Sequence, residues 1–462
     1  MKFKSFAFSV VFLLFLTGCA RITPEYEKSL QKGDYGVVSE DLKKSPQDDL
    51  LWYLDAGAIS RYAKDYNASN FFFDKSESKI KEYDKKVLAG KLLESVGTVL
   101  TNDTFIDYTP KIYEGIMVNT YKGINFLNEK DFTNARIEFN RALERQRRAK
   151  EFFEKEIAQE KEKIKKEQEK KAKEKNLNKA DIQKAQNNTK TQDAIEKRYS
   201  NLFAFKPYPD FLNPFTSYMS GLFFIATKDY VKAADILKET YGMIKDNEDG
   251  ASYVKKDLKY ALKRASSLKT KENKHYVWVV FENGKGPKRD ELRFDIPLFV
   301  VTRGLYYTGI ALPTFKEQAE AYNYLRIKNG KKSLQTKQVA SMDKVVKTEF
   351  KKRFPLIMTR AIARTVTQSL IQYQLKRNVG LVGGIMGVAY QGFMNRADTR
   401  QWRQLPKNFQ IARVELKSSD LTIENPKNAE IVKLNLDKNK NHIVFVRAIE
   451  ANTKPIVTKV SF

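Results

Sequence analysis

The sequence predicts an α+β fold in which a helical repeat array is followed by a mostly antiparallel, β-sandwich-like domain with an inserted helical segment. Two observations lead to this prediction. Up to about residue 270, apolar side chains recur at helical spacing and glycines recur at matching positions within that pattern. Beyond residue 275, runs of β-branched and aromatic residues are separated by Asn-Gly turn signals.

Length and composition limit the class of protein. The chain has 462 residues, and 42% apolar with 12% aromatic residues argue for two or three folded domains rather than disorder. A single cysteine and two histidines leave too few ligands for a Cys cluster or a His-rich centre, so we expect no metal and no cofactor. The formal charge of +28 favours partners that carry negative charge.

Residues 1–18 read as a lipoprotein signal peptide. Two lysines precede the apolar run Phe6–Leu16, which is shorter than a membrane span. The run ends in Leu16-Thr17-Gly18-Cys19, which resembles the bacterial lipobox, where the cysteine receives lipid chains such as palmitate. Ala20 stands where lipoproteins kept in the inner membrane typically carry Asp. We therefore expect a lipid anchor at Cys19, the outer membrane as location, the periplasmic face, and no nucleic-acid partner.

Recurring glycines define a repeat in residues 19–143 and 199–270. The stretch from Gly123 to Ala135 has the spacing of a tetratricopeptide repeat, in which small residues let two helices approach and aromatic residues lock them together. The same frame fits the stretch from Gly221 to Ala233 and, more loosely, the chain after Gly57. The expected packing positions are Gly57, Gly123, Ala135, Gly221 and Ala233. A generic helical bundle is the alternative.

The first helix of each such repeat lines a concave face that binds extended peptides or helices. This frame predicts a partner-binding groove formed by Leu54, Arg61, Tyr62, Thr120, Ile124, Asn128, Tyr218 and Leu222. The alternative for each of these residues is burial against a neighbouring helix or a cap.

A charged helix and a flexible linker are expected between the two parts of the array, in residues 144–198. Within it, residues 151–175 alternate Lys and Glu with few apolar positions, which favours a solvated helix. Residues 176–191 read as the flexible linker. A partner-binding coiled coil is the alternative.

The β-rich domain is expected in two parts, residues 271–341 and 397–462. Strands are predicted at residues 276–282, 292–301, 306–312, 322–328, 409–416, 430–436, 442–449 and 456–462. Asn283-Gly284 and Asn329-Gly330 predict hairpin turns.

The inserted segment, residues 342–396, is predicted to be a basic helix with a break or kink at Pro355. Its basic residues could lie against anionic headgroups, or they could form an ordinary solvated face. An uncharged, glycine-rich stretch at 379–394 follows, for which burial against the sheets is the first expectation and membrane or subunit contact the alternative.

Catalytic motifs are missing from the sequence, so we do not expect an enzyme. Gly284-Lys285-Gly286-Pro287 lacks the spacing of a phosphate-binding loop, and neither a Gly-x-Ser-x-Gly elbow nor a His-Glu-x-x-His pair occurs. Paired carboxylates such as Asp48 and Asp49 lie in polar stretches where a raised pKa is not expected. A glycan hydrolase with two carboxylates stays open as an alternative, because such pairs have no fixed spacing.

Several short motifs occur together along the chain. They are Trp52-Tyr53-Leu54, Asn102-Asp103, Tyr108, Tyr113-Glu114, Gly284-Lys285-Gly286-Pro287, Ile310-Ala311-Leu312-Pro313 and Ala397–Pro406. With them, the chain resembles an uncharacterised family of bacterial tetratricopeptide-containing outer-membrane lipoproteins of similar length. Genes of that family tend to adjoin those for small lipoproteins similar to activators of penicillin-binding proteins. The resemblance thus implies partners of the cell-wall synthase activator type.

The Ala397–Pro406 motif is expected to be a structural junction with Trp402 buried.

Together these observations predict a non-enzymatic, lipid-anchored periplasmic scaffold. Its repeats would bind periplasmic or outer-membrane proteins, with a role in cell-wall synthesis or envelope assembly. The alternative is an envelope-surface protein whose basic helical insertion contacts anionic lipid or cell-wall polymer.

Overall fold

The computed structural model describes residues 24–94, 106–174, 189–209, 211–266, 274–297, 307–394 and 396–462. The signal peptide, Cys19, Asn102-Asp103 and most of the predicted linker lie outside these residues. In the described part, helices predominate up to residue 266 and sheets follow, which confirms the α+β class. None of the described helices is both long enough and apolar enough to cross a membrane.

The described helices are α1 (Pro24–Lys32), α2 (Tyr35–Lys44), α3 (Leu50–Tyr62), α4 (Tyr66–Leu88), α5 (Ile112–Asn128), α6 (Phe132–Glu174), α7 (Thr189–Tyr199), α8 (Pro214–Ala226), α9 (Tyr230–Ile244), α10 (Ala251–Ser266) and α11 (Met342–Met394). The strands are β1 (Tyr276–Asn283), β2 (Lys288–Pro297), β3 (Tyr307–Lys316), β4 (Arg326–Asn329), β5 (Lys332–Gln335), β6 (Lys337–Ser341), β7 (Asn408–Glu415), β8 (Asp420–Glu424), β9 (Glu430–Asn435), β10 (His442–Ala448) and β11 (Ile456–Ser461).

Three helix pairs, α3–α4, α5–α6 and α8–α9, are joined by the same kind of turn. In each turn a lysine adopts a positive φ, namely Lys64 at 62°, Lys130 at 63° and Lys228 at 62°. The next residue is always an aspartate, and its N–H donates to the carbonyl five residues earlier: Asp65 to Ser60, Asp131 to Phe126 and Asp229 to Phe224. This hydrogen bond closes the end of the first helix and reverses the chain in the same way each time.

A glycine of the first helix lies against the second helix in each of these pairs. A Cβ atom added to Gly57 would lie 2.6 Å from the ring of Phe73. At Gly123 it would lie 3.0 Å from Phe139, and at Gly221 it would lie 2.8 Å from Leu237. Ala135 and Ala233 on the second helices are fully buried. Each of the three glycines therefore lies at a contact between the two helices of its pair.

Helix α6 contradicts the predicted boundary at residue 144 and the predicted solvated helix. It runs without interruption from Phe132 to Glu174, so the charged stretch continues the second helix of a pair. One face of this stretch is buried, including Glu156 and Ile164. Ile164 packs with Leu356 and Ala363 of α11. The prediction was wrong because this face is buried largely through charge pairs with α11, which leave no apolar stripe in the sequence.

Helix α11 is continuous through Pro355, so the predicted break does not occur there. The residues 379–394 form the last turns of the same helix. The basic insertion therefore is one long helix that connects β6 to the segment before β7.

The strands form three sheets. The largest has the order β11-β10-β1-β7-β6, and β1 pairs in parallel with β10 and antiparallel with β7. A four-stranded sheet has the order β5-β4-β8-β9, and β2 pairs with β3 as a separate ribbon. Apart from β1 with β10, every pairing among the described strands is antiparallel.

The two Asn-Gly signals have different outcomes. Asn329-Gly330 forms the predicted hairpin between β4 and β5, with Gly330 at a φ of 57°. Asn283-Gly284 turns the chain with Gly284 at 66° but forms no hairpin, because β7 and β10 occupy both sides of β1. Gly284 instead donates its N–H to the carbonyl of Ala448 on β10.

The five-stranded sheet packs against the first helices of the pairs, and one continuous apolar core joins them. Phe215 of α8 stacks on Phe409 of β7 with ring centroids 3.6 Å apart. Trp402 is buried, as predicted, and its ring meets Phe73 and Tyr121 edge-on at 5.9 Å. We call this side of α3, α5 and α8 the inner face.

Candidate functional site

The inner face is where the sequence predicted an open groove. Seven of the eight predicted groove residues are buried there: Leu54, Arg61, Tyr62, Thr120, Ile124, Tyr218 and Leu222. Asn128 is half-buried and donates to the carbonyl of Ile124. The prediction of an accessible groove at these residues is therefore wrong for this conformation. The physical reason is that the five-stranded sheet of the same chain covers the inner face.

Arg61 clamps the first helix pair to the sheet. Its Nη2 lies 2.5 Å from Oε1 of Glu282 on β1, and its Nη1 donates to Oε2 at 3.1 Å. The Tyr121 hydroxyl donates to the same carboxylate at 3.3 Å. Arg61 is 8% exposed and Glu282 is 1% exposed. Burial opposes the charged form, but Glu282 outweighs it and raises the pKa of Arg61, so this is a bidentate buried ion pair.

Tyr62 extends the clamp to β10. Its hydroxyl donates to the carbonyl of Gln404 and accepts from Nε of Arg447 at 3.3 Å. Arg447 also donates through Nη1 to the carbonyl of Gly284 at 2.6 Å. Burial raises the pKa of Tyr62, which keeps the hydroxyl protonated as a donor.

Tyr218 anchors the third helix pair through Asp257 of α10. The Tyr218 hydroxyl donates to Oδ2 at 3.0 Å, and Nε1 of Trp278 on β1 donates to Oδ1 at 2.9 Å. Arg413 of β7 lies 3.1 Å from the same carboxylate. Burial raises the pKa of Asp257 although Arg413 acts in the opposite direction. These contacts hold the helices and the sheet together.

The opposite side of the array carries an open cavity, which we call the outer groove. It lies between α4 and α6, above the start of α5, and has a volume of about 770 Å³. Sites that bind drug-sized ligands usually have roughly 300–1,000 Å³. Apolar and small residues on its lining are Ile80, Leu88, Pro110, Ile112, Gly115, Ala149 and Phe152.

Charged side chains surround this apolar floor. Arg141, Arg145 and Arg148 lie on one face of α6, because residues four and three apart share a helix face. Arg145 bridges to Asp84 on the opposite wall at 3.0 Å. Arg141 and Arg148 are 47% and 67% exposed, so their guanidinium groups extend into solvent. The lining also includes Glu77, Asp84, Glu144 and Glu151, and Arg148 pairs with Glu144. The arrangement suits an apolar segment that carries charged groups along its edges.

The outer groove was not predicted from the sequence. Its walls come from the second helices of two pairs, and the repeat frame directs attention to the first helices. One usable signal was Phe152, an aromatic residue inside an otherwise charged stretch. Glu282 was missed as well, although it is a lone acidic residue in an apolar strand.

The surroundings of the paired carboxylates Asp48 and Asp49 do not favour a catalytic role for them. Asp48 is exposed, and Lys79 lowers its pKa below the ordinary value. Asp49 accepts from the N–H of Trp52 at 2.9 Å and caps α3. In the part of the chain that the structure describes, no group of three or more His, Cys, Asp or Glu residues is placed to hold a metal ion.

We compared the chain with models of known protein families, with curated proteins and with solved structures, and none of the three comparisons found a match.

Proposed function

We propose that the protein is a non-enzymatic, lipid-anchored periplasmic scaffold that binds a partner protein in the outer groove. The observation that carries this proposal is the open groove between α4 and α6, with its apolar floor and charged edges. The role in cell-wall synthesis or envelope assembly rests on the family resemblance of the sequence. The inner face is excluded as the docking surface in this conformation, because the sheet covers it.

The three helix pairs are, on this proposal, degenerate tetratricopeptide-like repeats, and the sheets form a β-sandwich-like domain. The shared Lys-Asp turn and the equivalent glycine contacts support the repeat assignment. Such a repeat array with its inner face filled has to use another surface for binding. The second helices, which line the outer groove, supply that surface.

The occupant that fits is an acidic, amphipathic helical segment of a periplasmic or outer-membrane protein. An amphipathic helix inserts apolar side chains into a groove and leaves its polar edges at the rim. Exposed Arg141 and Arg148 would meet acidic groups at one edge. The charge of +28 on the whole chain would also steer an acidic partner toward it.

Site-specific photo-crosslinking in intact cells tests this proposal. A photoreactive residue at Leu88, which is 59% exposed at the groove, should form an adduct with one envelope protein. The matched control is Leu262 on α10, which is 52% exposed and lies away from the groove. Arg148→Glu should weaken the Leu88 adduct, because it reverses a charge at the groove edge.

Mass spectrometry of the Leu88 adduct should map the crosslink to an acidic amphipathic helix of the partner. Equal adducts from Leu88 and Leu262, or an adduct that Arg148→Glu leaves unchanged, would contradict the outer-groove proposal.

The anchor at Cys19 is a separate part of the proposal and rests on the lipobox residues Leu16–Cys19. A Cys19→Ala variant should accumulate as a precursor or fail to fractionate with the outer membrane. Wild-type fractionation of this variant would contradict the lipid anchor.

Binding of α11 to anionic lipid or cell-wall polymer is the second candidate function. Lys351 and Lys352 favour it, because both are exposed on this helix. Charge-driven surface binding should weaken steeply with added salt, whereas binding in an apolar groove should not. Loss of envelope association in a Lys351→Glu, Lys352→Glu variant, with an unchanged Leu88 adduct, would favour this alternative for membrane or wall contact.

A further inference from the structure

A second cavity, which we call the arginine cleft, lies where α6, α11, the β2–β3 ribbon and residues 396–400 meet. Its volume is about 100 Å³. Liquid water occupies roughly 30 Å³ per molecule, so the cleft has room for a small polyatomic ion. Its basic residues are Lys111, Arg289, Arg353, Arg360, Arg364, Arg396 and Arg400, and its acidic residues are Glu156, Glu160 and Asp398.

Some of these arginines are neutralised by carboxylates. Arg353 lies 2.7 Å from Glu156 and 2.8 Å from Glu349. Arg400 lies 2.9 Å from Asp398 and also donates to the carbonyl of Ile106 at 2.8 Å. Arg360 is paired with Glu160. The pairs of Arg353 with Glu156 and of Arg360 with Glu160 connect α11 to α6, and the pair of Arg400 with Asp398 accounts for the third acidic residue of the cleft.

Arg289 has no such partner. Its side chain is 8% exposed, and its Nε has no hydrogen-bond partner. No carboxylate of the described residues lies within ion-pair distance of its guanidinium group. That group lies instead over the rings of Phe315 and Phe350, at 5.7 and 5.9 Å from their centroids. Asp398 is close enough for the charge of Arg289 to help lower its pKa, but it pairs directly with Arg400. A buried arginine without an ion pair of its own is costly unless something else compensates its charge.

The surroundings of Lys111 show that the cleft is electropositive. Burial, together with Arg353 and Arg289, lowers the pKa of Lys111 to about 8. Its Nζ donates only to the carbonyl of Thr109, at 2.7 Å, among the described residues. Even when Glu114 and Glu349, which lie beside the cleft, are added to the acidic residues, the basic residues remain in excess. A small anion would therefore find uncompensated positive charge inside a preformed cavity.

We propose that the arginine cleft binds a phosphate group, with Arg289 as its principal ligand. Guanidinium groups bind phosphate through two parallel N–H donors, and a dianion matches an excess of more than one positive charge. The small volume fits a headgroup or a free ion rather than an acyl chain. The cleft and the outer groove share Tyr83 and Lys111 in their linings, but Arg289 lines only the cleft, so its variants test this proposal separately from the outer groove.

Titration of the full chain with inorganic phosphate at constant ionic strength tests the proposal. Saturable binding is expected by calorimetry, together with a rise in the unfolding midpoint that chloride does not produce. Arg289→Met should bind phosphate at least about tenfold more weakly, because it loses charge-assisted hydrogen bonds worth about 1.5–3 kcal/mol. Methionine keeps apolar contact with Phe315 and Phe350.

Two features of this design separate binding from a structural role. Without phosphate, Arg289→Met should unfold at the same or a higher temperature than the wild type, because it removes a buried charge without a partner. Arg293→Gln is the matched control, since Arg293 lies on the same strand but is 54% exposed and outside the cleft. It should bind phosphate like the wild type.

The source of the phosphate is decided by comparing inorganic phosphate, glycerol phosphate and a soluble short-chain phosphatidylglycerol. The probe with the lowest Kd whose binding depends on Arg289 identifies a free ion, a small ester or a lipid headgroup. Absence of saturable phosphate binding, or equal binding by Arg289→Met and wild type, would overturn the proposal.

Discussion

Arginines on the inner and outer faces of the helical array differ in their burial and in the carboxylates with which they pair. On the inner face, Arg61 is 8% exposed and meets Glu282 in a bidentate pair. On the outer face, Arg148 is 67% exposed and pairs with Glu144 of its own helix. The first pair joins two parts of the chain that are far apart in sequence, and the second joins neighbouring turns.

This difference separates a structural surface from an available one. A buried ion pair contributes specificity of packing, and loss of one partner leaves an uncompensated charge. An exposed pair contributes little to stability and can exchange its partner for another acidic group. The inner face is therefore buried against the sheet, whereas charged groups of the outer face remain accessible to a partner.

The largest effect is expected from Glu282→Ala. The substitution would leave Arg61 buried without its carboxylate, which typically costs about 3–5 kcal/mol of the free energy of unfolding. Its outer-face counterpart, Glu144→Ala, removes an exposed partner and should cost about 1 kcal/mol or less. Urea unfolding followed by circular dichroism measures both. Similar losses in the two variants would remove the distinction between the faces.

A smaller effect concerns pH and Asp55 of α3, which accepts from the N–H of Arg403 at 3.2 Å. Burial raises the pKa of Asp55 to about 7, from an ordinary value of 3.8. The folded state therefore holds the proton more tightly than the unfolded state between about pH 4 and pH 7. Stability from this group is fully present below about pH 4 and is lost as the pH rises from there to about 7, by an amount on the order of 4 kcal/mol.

Asp55→Asn should remove this loss, because the amide keeps an acceptor and does not ionise. The variant is expected to gain stability relative to wild type as the pH rises from 5 to 8. Asp48→Asn, in an exposed position, should leave the profile over that range unchanged, since Lys79 lowers the pKa of Asp48. Parallel profiles for wild type and Asp55→Asn would show that Asp55 is solvated rather than buried.

The smallest effect compares two helical glycines. Gly57→Ala would place a methyl group 2.6 Å from the ring of Phe73 and should cost about 1–3 kcal/mol through overpacking. Gly242→Ala, in α9, meets no atom within 4 Å and should stabilise by about 0.5–1 kcal/mol through helix propensity. Thermal unfolding of both variants measures the difference in sign. A stabilising Gly57→Ala would contradict the close contact between α3 and α4.

Local patterns in the sequence predicted the elements well. The glycine frame identified the packing positions in the helix pairs, and β-branched runs identified most strands of the five-stranded sheet. Asn329-Gly330 predicted its hairpin, because both turn and strand pairing depend on neighbouring residues. Trp402 was expected to be buried and is 2% exposed.

What covers each face was decided by the tertiary structure. Arg61 and Tyr62 looked like groove residues, because their repeat position fixes the side of the helix but not what lies against it. Glu156 looked solvated, because its partner Arg353 lies almost two hundred residues later in the chain. No pattern in the sequence pointed to Arg289, since its cleft is built from seven separate parts of the chain. Helical and strand periods are local properties of a sequence, whereas burial of a charge depends on which distant carboxylate, sheet or cavity the fold brings to it.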